Sequence, residues 1–422
     1  MNLQRLCLIL LLLAHTPLHS CAQTNHPIPH WGASISLQPT QVLATDKYVR
    51  KWLKTKNSYS IDVGLIRATL PADNDDYARD YGYPTFLLHL KYTYNHVRLH
   101  RDSDPDWGQL QPVDYDSKLG NVLSLYATFQ RPLLKQHKWQ FDYSLSTGVA
   151  YAFSPYHTTK NIDNELVGTH LNIYFGAGLH LAYHVHPKWA VQTSLEYFHY
   201  SNGAVARPNK GANHFGPTLS LLYTPYYSYQ PLSLACSHSL REGLGVRTLY
   251  LEPEIGIGMK TLNEDWQHTQ FETPHTEPDY RRKHFHLYTS YNASLSLMYR
   301  YARRWASGIA ADVNYANYAS HVEKMDLQQG FDLKHNPWSV GISARHHVFY
   351  HQLSLRMALG AYLYRHMGNN AKQVEKPYYE TIGLHYTFPK LQNLTIGADI
   401  KAHLTKADYL QIALSMPIYL NK

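Results

Sequence analysis

Cysteine, charge and long apolar runs are all scarce in this chain of 422 residues. Each scarcity excludes something. The three cysteines are Cys7, Cys21 and Cys236. Cleavage of the N-terminal apolar stretch after Ala22 leaves Cys236 alone, so no internal disulfide framework is available. No later segment reaches the roughly 18 consecutive apolar residues of a membrane-crossing helix. Charged residues make up only 17%, yet mean hydropathy is −0.41, so the polar weight falls on Ser, Thr, Asn, Gln, His and Tyr. That balance suits strands with one wet and one greasy face. The net charge of +8 is dispersed. With no basic run, no phosphate-binding glycine loop and no dinucleotide fingerprint, nucleic acid is excluded as a partner and an anionic membrane surface fits better.

The chain opens on a secretory signal at 1–22: Arg5, an apolar run from Leu6 to Ala14, and the small-residue site Ser20-Cys21-Ala22. Leu18-His19-Ser20-Cys21 also resembles a lipoprotein cleavage box, with His19 a poor fit. Beyond it come sixteen segments of about ten residues with period-2 alternation, separated by polar or turn-forming stretches. In one of them Trp139, Phe141, Tyr143, Leu145, Val149, Tyr151 and Phe153 share a face. Gln140, Asp142, Ser144, Ser146, Gly148, Ala150 and Ala152 share the other. Aromatics toward both ends of a greasy face, opposite small polar groups, predict a membrane-spanning barrel with lipid outside and interfacial girdles. Hydrocarbon offers no partner to backbone N–H or C=O, so the sheet must close.

The expected fold is all-β, an antiparallel transmembrane β-barrel of about 14–16 strands. A composition break near 225–245 divides the chain into 23–228 and 229–422. One large barrel is preferred, because closing once removes both free edges; two eight-stranded barrels are the alternative. With the first strand leaving the periplasm, the seventh, at 188–201, ends on the extracellular side.

That seventh strand carries the chemistry. Trp189, Val191, Thr193, Leu195, Tyr197, His199 and Ser201 fall on its lipid face, and Glu196 falls in the lumen. A histidine and a serine two apart on a strand point the same way, close enough for imidazole to take the hydroxyl proton. Asn213 lies on the lipid face of the next strand, beside Phe215. Three polar groups looking into a membrane rim are costly unless they are used or lie at headgroup depth. His403 and Thr405 repeat the spacing in the second half, but parity turns them into the lumen, where the pair is structural.

His199-Tyr200-Ser201-Asn202-Gly203, followed by Pro208-Asn209-Lys210-Gly211-Ala212-Asn213, resembles the signature of the outer-membrane lipid A 3-O-deacylase (PagL-like) family, over about residues 31–225. The resemblance implies a cofactor-free, calcium-independent hydrolase acting on lipid A, or lipopolysaccharide, in the outer membrane. Ser201 is then the nucleophile and His199 the base, with the ester-linked 3-hydroxyacyl chain as the group removed. The family's glutamate, which orients the histidine, falls where this chain has Asn213. Three outcomes follow: a working Ser-His-Asn arrangement, a loop acid such as Asp163 or Glu165 in its place, or lost activity. The backbone N–H groups of Asn202 and Gly203 are the natural oxyanion donors, and a bare turn would justify the same dipeptide. Lys47, Arg50 and Lys51 sit in the loop after the first strand, as candidates to grip lipid A phosphates or as a solvated loop. Asp102-Ser103-Asp104-Pro105-Asp106 lacks the glycine and glutamate of a calcium loop, and no metal site is expected. The competing class is a noncatalytic barrel, porin-like or structural, in which the motif is a relic.

Overall fold

The structure, a computed structural model, describes residues 30–45, 47–104, 114–228, 247–368, 377–404 and 406–420. The expected signal segment, Cys21, Cys236 and Thr405 lie outside them. In chain order the first half runs β1 (Trp31–Val42), α1 (Lys47–Trp52), β2 (Leu53–Thr55), β3 (Asn57–Ala68), α2 (Asp76–Asp80), β4 (Thr85–Asn95), β5 (Arg98–Asp102) and β6 (Asp114–Lys118). It continues with β7 (Val122–Gln136), β8 (Trp139–Ala152), β9 (Leu171–His186), β10 (Trp189–Ser201) and β11 (Ala212–Tyr223). The second half runs β12 (Thr248–Lys260), α3 (Asn263–Gln267), β13 (Tyr288–Ala302), β14 (Trp305–Ala316), α4 (Ala319–Gln328), β15 (Trp338–Tyr350) and β16 (Leu353–Tyr364). It ends with β17 (Tyr378–Phe388), β18 (Leu394–His403), β19 (Lys406–Ser415) and β20 (Ile418–Tyr419).

All sixteen expected spanning strands are present, but they close twice. The first barrel has the order β1-β11-β10-β9-β8-β7-β4-β3, with β11 returning to β1 so that Leu37 lies opposite Leu219. In the second, β12 pairs with both β13 and β19. The preference for one large enclosure is therefore corrected to its alternative, two eight-stranded barrels. Edge removal did not discriminate between the two, because two small closures satisfy every strand as fully as one large one. Strands β2, β5 and β6 form a separate small sheet among the long loops. Among the described residues no helix is long and apolar enough to cross a membrane.

The alternation places the girdles as expected. At the tight-turn end of the first barrel Trp31, Trp139 and Trp189 are exposed, and at the long-loop end Tyr59, Tyr94 and Tyr151, with Ile35, Leu65, Leu125 and Leu195 between them. The second barrel repeats the pattern, with Tyr386 and Phe388 at one end and Tyr291, Trp338 and Tyr378 at the other. Inside, the charges are hydrogen-bonded, through neutral groups in one lumen and as ion pairs in the other. In the first lumen Lys91 donates to Gln38 Oε1 (3.0 Å) and Tyr174 OH (2.9 Å), and Gln38 donates in turn to Glu196 (2.8 Å). In the second, Arg356 reaches Glu252 (2.8 Å) and Arg345 reaches Asp312 (2.7 Å). The mid-lumen cavities measure only about 60 Å³ and 40 Å³, as expected for eight strands whose side chains fill the bore.

The barrels stand side by side with like ends together. At the tight-turn end Tyr81 OH donates to Phe349 O (2.9 Å) and Arg303 pairs with Asp76 (3.0 Å). At the long-loop end Thr261 N donates to Ala204 O (2.9 Å) and Arg281 donates to Tyr115 OH (2.8 Å). Both therefore cross one membrane in the same sense.

Candidate active site

The site forms where β10 leaves the lipid face. Phe198 and Tyr200 of β10 and Ala212 of β11 point inward, into an apolar cluster with Val42, Val49, Trp52, Leu99, Leu166 and Tyr174. Helix α1 and the small sheet contribute to this cluster, which caps the first lumen. Burying two aromatics there stabilises by about 1.5–3 kcal/mol each. A one-residue slip of β10 would turn them outward and carry His199 into the lumen. The inward residues thus dictate where the outward ones look.

On the outward side His199 and Asn213 are direct partners across the β10–β11 ladder. His199 Nε2 lies 2.9 Å from Ser201 Oγ, and His199 Nδ1 lies 2.8 Å from Asn213 Oδ1. Asn213 Oδ1 also accepts from Tyr197 OH (2.6 Å), while its Nδ2 donates to Thr45 Oγ1 (3.3 Å). These two contacts hold the amide with its oxygen toward the ring. His199 Nδ1 is then the protonated nitrogen, and Nε2 is free to accept from Ser201. Tyr197 was visible on the lipid face of its strand by parity but carried no assignment. Thr45, in a loop 168 residues from Asn213, gave no signal in sequence.

The bend after Ser201 uses positive φ at Gly203 (64°) and Ala204 (71°). Asn202 and Gly203 lie at this bend as expected, but the backbone N–H of Asn202 donates to Asn209 Oδ1 (3.0 Å). What is left over is its side-chain Nδ2, buried in a residue only 2% exposed and without an acceptor among the described residues. Gly211, at φ 76°, brings the chain back under the imidazole: a Cβ there would sit 2.2 Å from His199 Cε1. Only glycine fits that approach.

The loop acids do not reach His199. Asp163 pairs with Arg101 (3.2 Å) and Glu165 with Lys210 (3.0 Å). Burial raises the Asp163 carboxyl to about 6, against the pull of the Arg101 guanidinium. Glu196 lies in the lumen on Gln38, and His403 is buried against Tyr362 OH (3.1 Å) in the second lumen. Lys47, Arg50 and Lys51 lie on α1, just after Thr45, with Lys51 paired to Asp104. His100, Asp102 and Asp114 gather ligand atoms within 4.8 Å at the exposed small sheet, an ordinary arrangement for surface acids.

A closed barrel girdled for lipid is the architecture of an outer-membrane protein, and this one carries a hydrogen-bonded serine, histidine and asparagine on its outward face. Residues 82–222 match the family described as lipid A 3-O-deacylase (PagL), and residues 249–419 match the acyloxyacyl hydrolase C-terminal domain. Each match falls within one barrel, and the chain belongs to the lipid A 3-O-deacylase family. No curated protein matches. Among solved structures, the outer membrane enzyme PagL is similar at 15% identity, covering 46% of this chain and 98% of that one, with a TM-score of 0.28. A ferric enterobactin receptor (PfeA) mutant from Pseudomonas aeruginosa is similar at 11% identity, covering 92% and 68%, with a TM-score of 0.25. Ail from Yersinia pestis stands at 14%, covering 46% and 97%, with a TM-score of 0.21. At such scores these likenesses carry no weight of their own.

Proposed function

We propose that this protein removes an ester-linked 3-hydroxyacyl chain from lipid A by a serine–histidine mechanism, with Asn213 in the orienting role. The observation that carries the proposal is the hydrogen-bonded series Ser201–His199–Asn213 on the lipid-facing side of β10 and β11. Lipid A presents its acyl esters at the headgroup boundary, the depth at which a strand meets its outer loop.

As Ser201 Oγ attacks the ester carbonyl, its proton passes to His199 Nε2, and Asn213 Oδ1 holds the Nδ1–H side of the ring. The carbonyl oxygen gathers negative charge, for which Asn202 Nδ2 and the Gly203 N–H are the donors we assign. The bond to the sugar oxygen breaks and His199 returns the proton to that oxygen, leaving an acyl-serine. Water, deprotonated by the same imidazole, then releases the fatty acid and restores Ser201. Lys47, Arg50 and Lys51 would meet the glycolipid phosphates as point charges and a fork.

Mass spectrometry of lipid A from cells with and without the protein tests this. Loss of one hydroxyacyl chain, abolished by Ser201→Ala and by His199→Ala, is the expected result. Lipid A identical in all four strains would leave the relic interpretation in possession.

A further inference from the structure

The second barrel touches the bend that carries the serine. Thr261, the residue after β12, donates twice to Ala204 O, from its N–H (2.9 Å) and its hydroxyl (3.2 Å). The contact is returned: Arg207 Nε donates to Thr261 O (3.0 Å). Glu264 and Asp408, both of the second barrel, are the carboxylates that act on the Arg207 charge. From β19 Leu410 Cβ and Cδ1 lie 3.4 and 4.0 Å from the place a Cβ would occupy on Gly203, backing the open side of that glycine. The other side of the same loop rests on the first barrel, through Lys210 N to Glu165 O (2.9 Å) and Gly211 N to Leu166 O (2.8 Å).

We propose that the second barrel is the outer jaw of a clamp that fixes the Ser201–Arg207 bend, with Thr261, Arg207 and Leu410 as positioning residues for the hydrolytic serine and its oxyanion donors. This rests on the hydrolase proposal above. The physical reason lies in the loop itself. Residues 203 and 204 both hold left-handed φ, a conformation that costs an alanine about 1 kcal/mol or more and persists only when its surroundings enforce it. The enforcing contacts on Ala204 come from Thr261. An oxyanion donor displaced by about 1 Å loses on the order of a hundredfold in rate, so a jaw that holds Gly203 governs turnover without touching substrate.

The test uses the full chain in detergent and a short-chain p-nitrophenyl ester, with fluorophosphonate capture of Ser201 as a second readout. Arg207→Ala and Leu410→Gly, the latter removing the Cβ that alanine would keep, should each lower kcat about tenfold or more while KM stays within about twofold, and should slow capture in parallel. Arg207→Lys, which keeps a donor for Thr261 O, should recover most of the loss. Leu410 faces outward and pairs through its backbone alone, so it decides the matter should Arg207→Ala barrels fail to close on a heat-modifiability gel. Turnover within twofold of the parent in folded Leu410→Gly, or in folded Arg207→Ala, overturns the clamp. Failure of the hydrolase proposal looks different: the parent chain itself neither turns over ester nor is captured at Ser201.

Discussion

Replacing Asn213 by aspartate changes charge at the relay and almost nothing else. The two side chains are isosteric, and the oxygen that accepts from His199 (2.8 Å) and Tyr197 (2.6 Å) stays where it is. On the other arm Thr45 Oγ1, which accepts from the amide at 3.3 Å, can rotate its hydroxyl to donate to a carboxylate. In the proposed mechanism, what changes is the partner of the imidazolium formed as Ser201 loses its proton. A hydrogen bond to a charged group contributes about 1.5–3 kcal/mol net, against about 0.5–1.5 kcal/mol for a neutral one. The difference of roughly 1–1.5 kcal/mol corresponds to about a tenfold rise in kcat. The loss of about 10⁴ when a protease triad exchanges its aspartate for asparagine is larger because the amide there also imposes the wrong tautomer. Here Tyr197 and Thr45 already fix the right one, so that part of the deficit is absent. Thr45→Val provides the internal check: it should slow the parent severalfold by freeing the amide to turn, and leave Asn213→Asp nearly unaffected, since a carboxylate has no wrong way round. Turnover on lipid A or a short-chain ester, with barrel closure verified by heat modifiability, reads both effects. A fall in kcat for folded Asn213→Asp would refute the charge argument and make the asparagine itself part of a working site.

Gly211→Ala should abolish most activity, by about a hundredfold or more, with the barrel still closed, because its methyl group would displace the His199 ring; undiminished turnover would show that the ring has room to move. Asp163 titrates in the folded protein at about 6, chiefly through burial, against about 3.9 in an unfolded chain. The native state therefore binds more protons between about pH 4 and 6, and the stability this group contributes is present below that window and lost as pH rises through it. Hydrogen exchange, corrected for intrinsic rate, should find the 154–170 loop less protected at pH 7 than at pH 4, and Asp163→Asn should flatten the difference. In planar bilayers neither lumen should conduct, since the mid-bore cavities of about 60 Å³ and 40 Å³ each hold a few waters at most; steady ohmic steps would favour a channel.

Much of this was legible in the alternation of side chains. Period 2 located sixteen strands, and parity alone put His199, Ser201 and Asn213 outward and Glu196 and His403 inward, because a pleated strand leaves a side chain two choices. Which strands would pair was not legible. Local pattern says that β11 needs a neighbour, yet β1 and β12 offer equally suitable edges, and the choice between them separates two barrels from one. For the same reason Thr261 and Leu410 could not be tied to Gly203 and Ala204 beforehand. Thr45 was invisible for a simpler reason: a loop residue with no periodicity announces its direction only in three dimensions. The backbone N–H of Asn202, expected as an oxyanion donor, is taken by Asn209 Oδ1, a contact within an aperiodic loop that no pattern in the sequence foretells.

Because β11 returns to β1, the first sheet is complete before β12 begins. A stop after Tyr223 would expose no dangling ladder to hydrocarbon, whereas a stop halfway round a sixteen-strand ring would. Such a chain can acquire or shed its distal module in one genetic event without leaving a strand edge open to hydrocarbon.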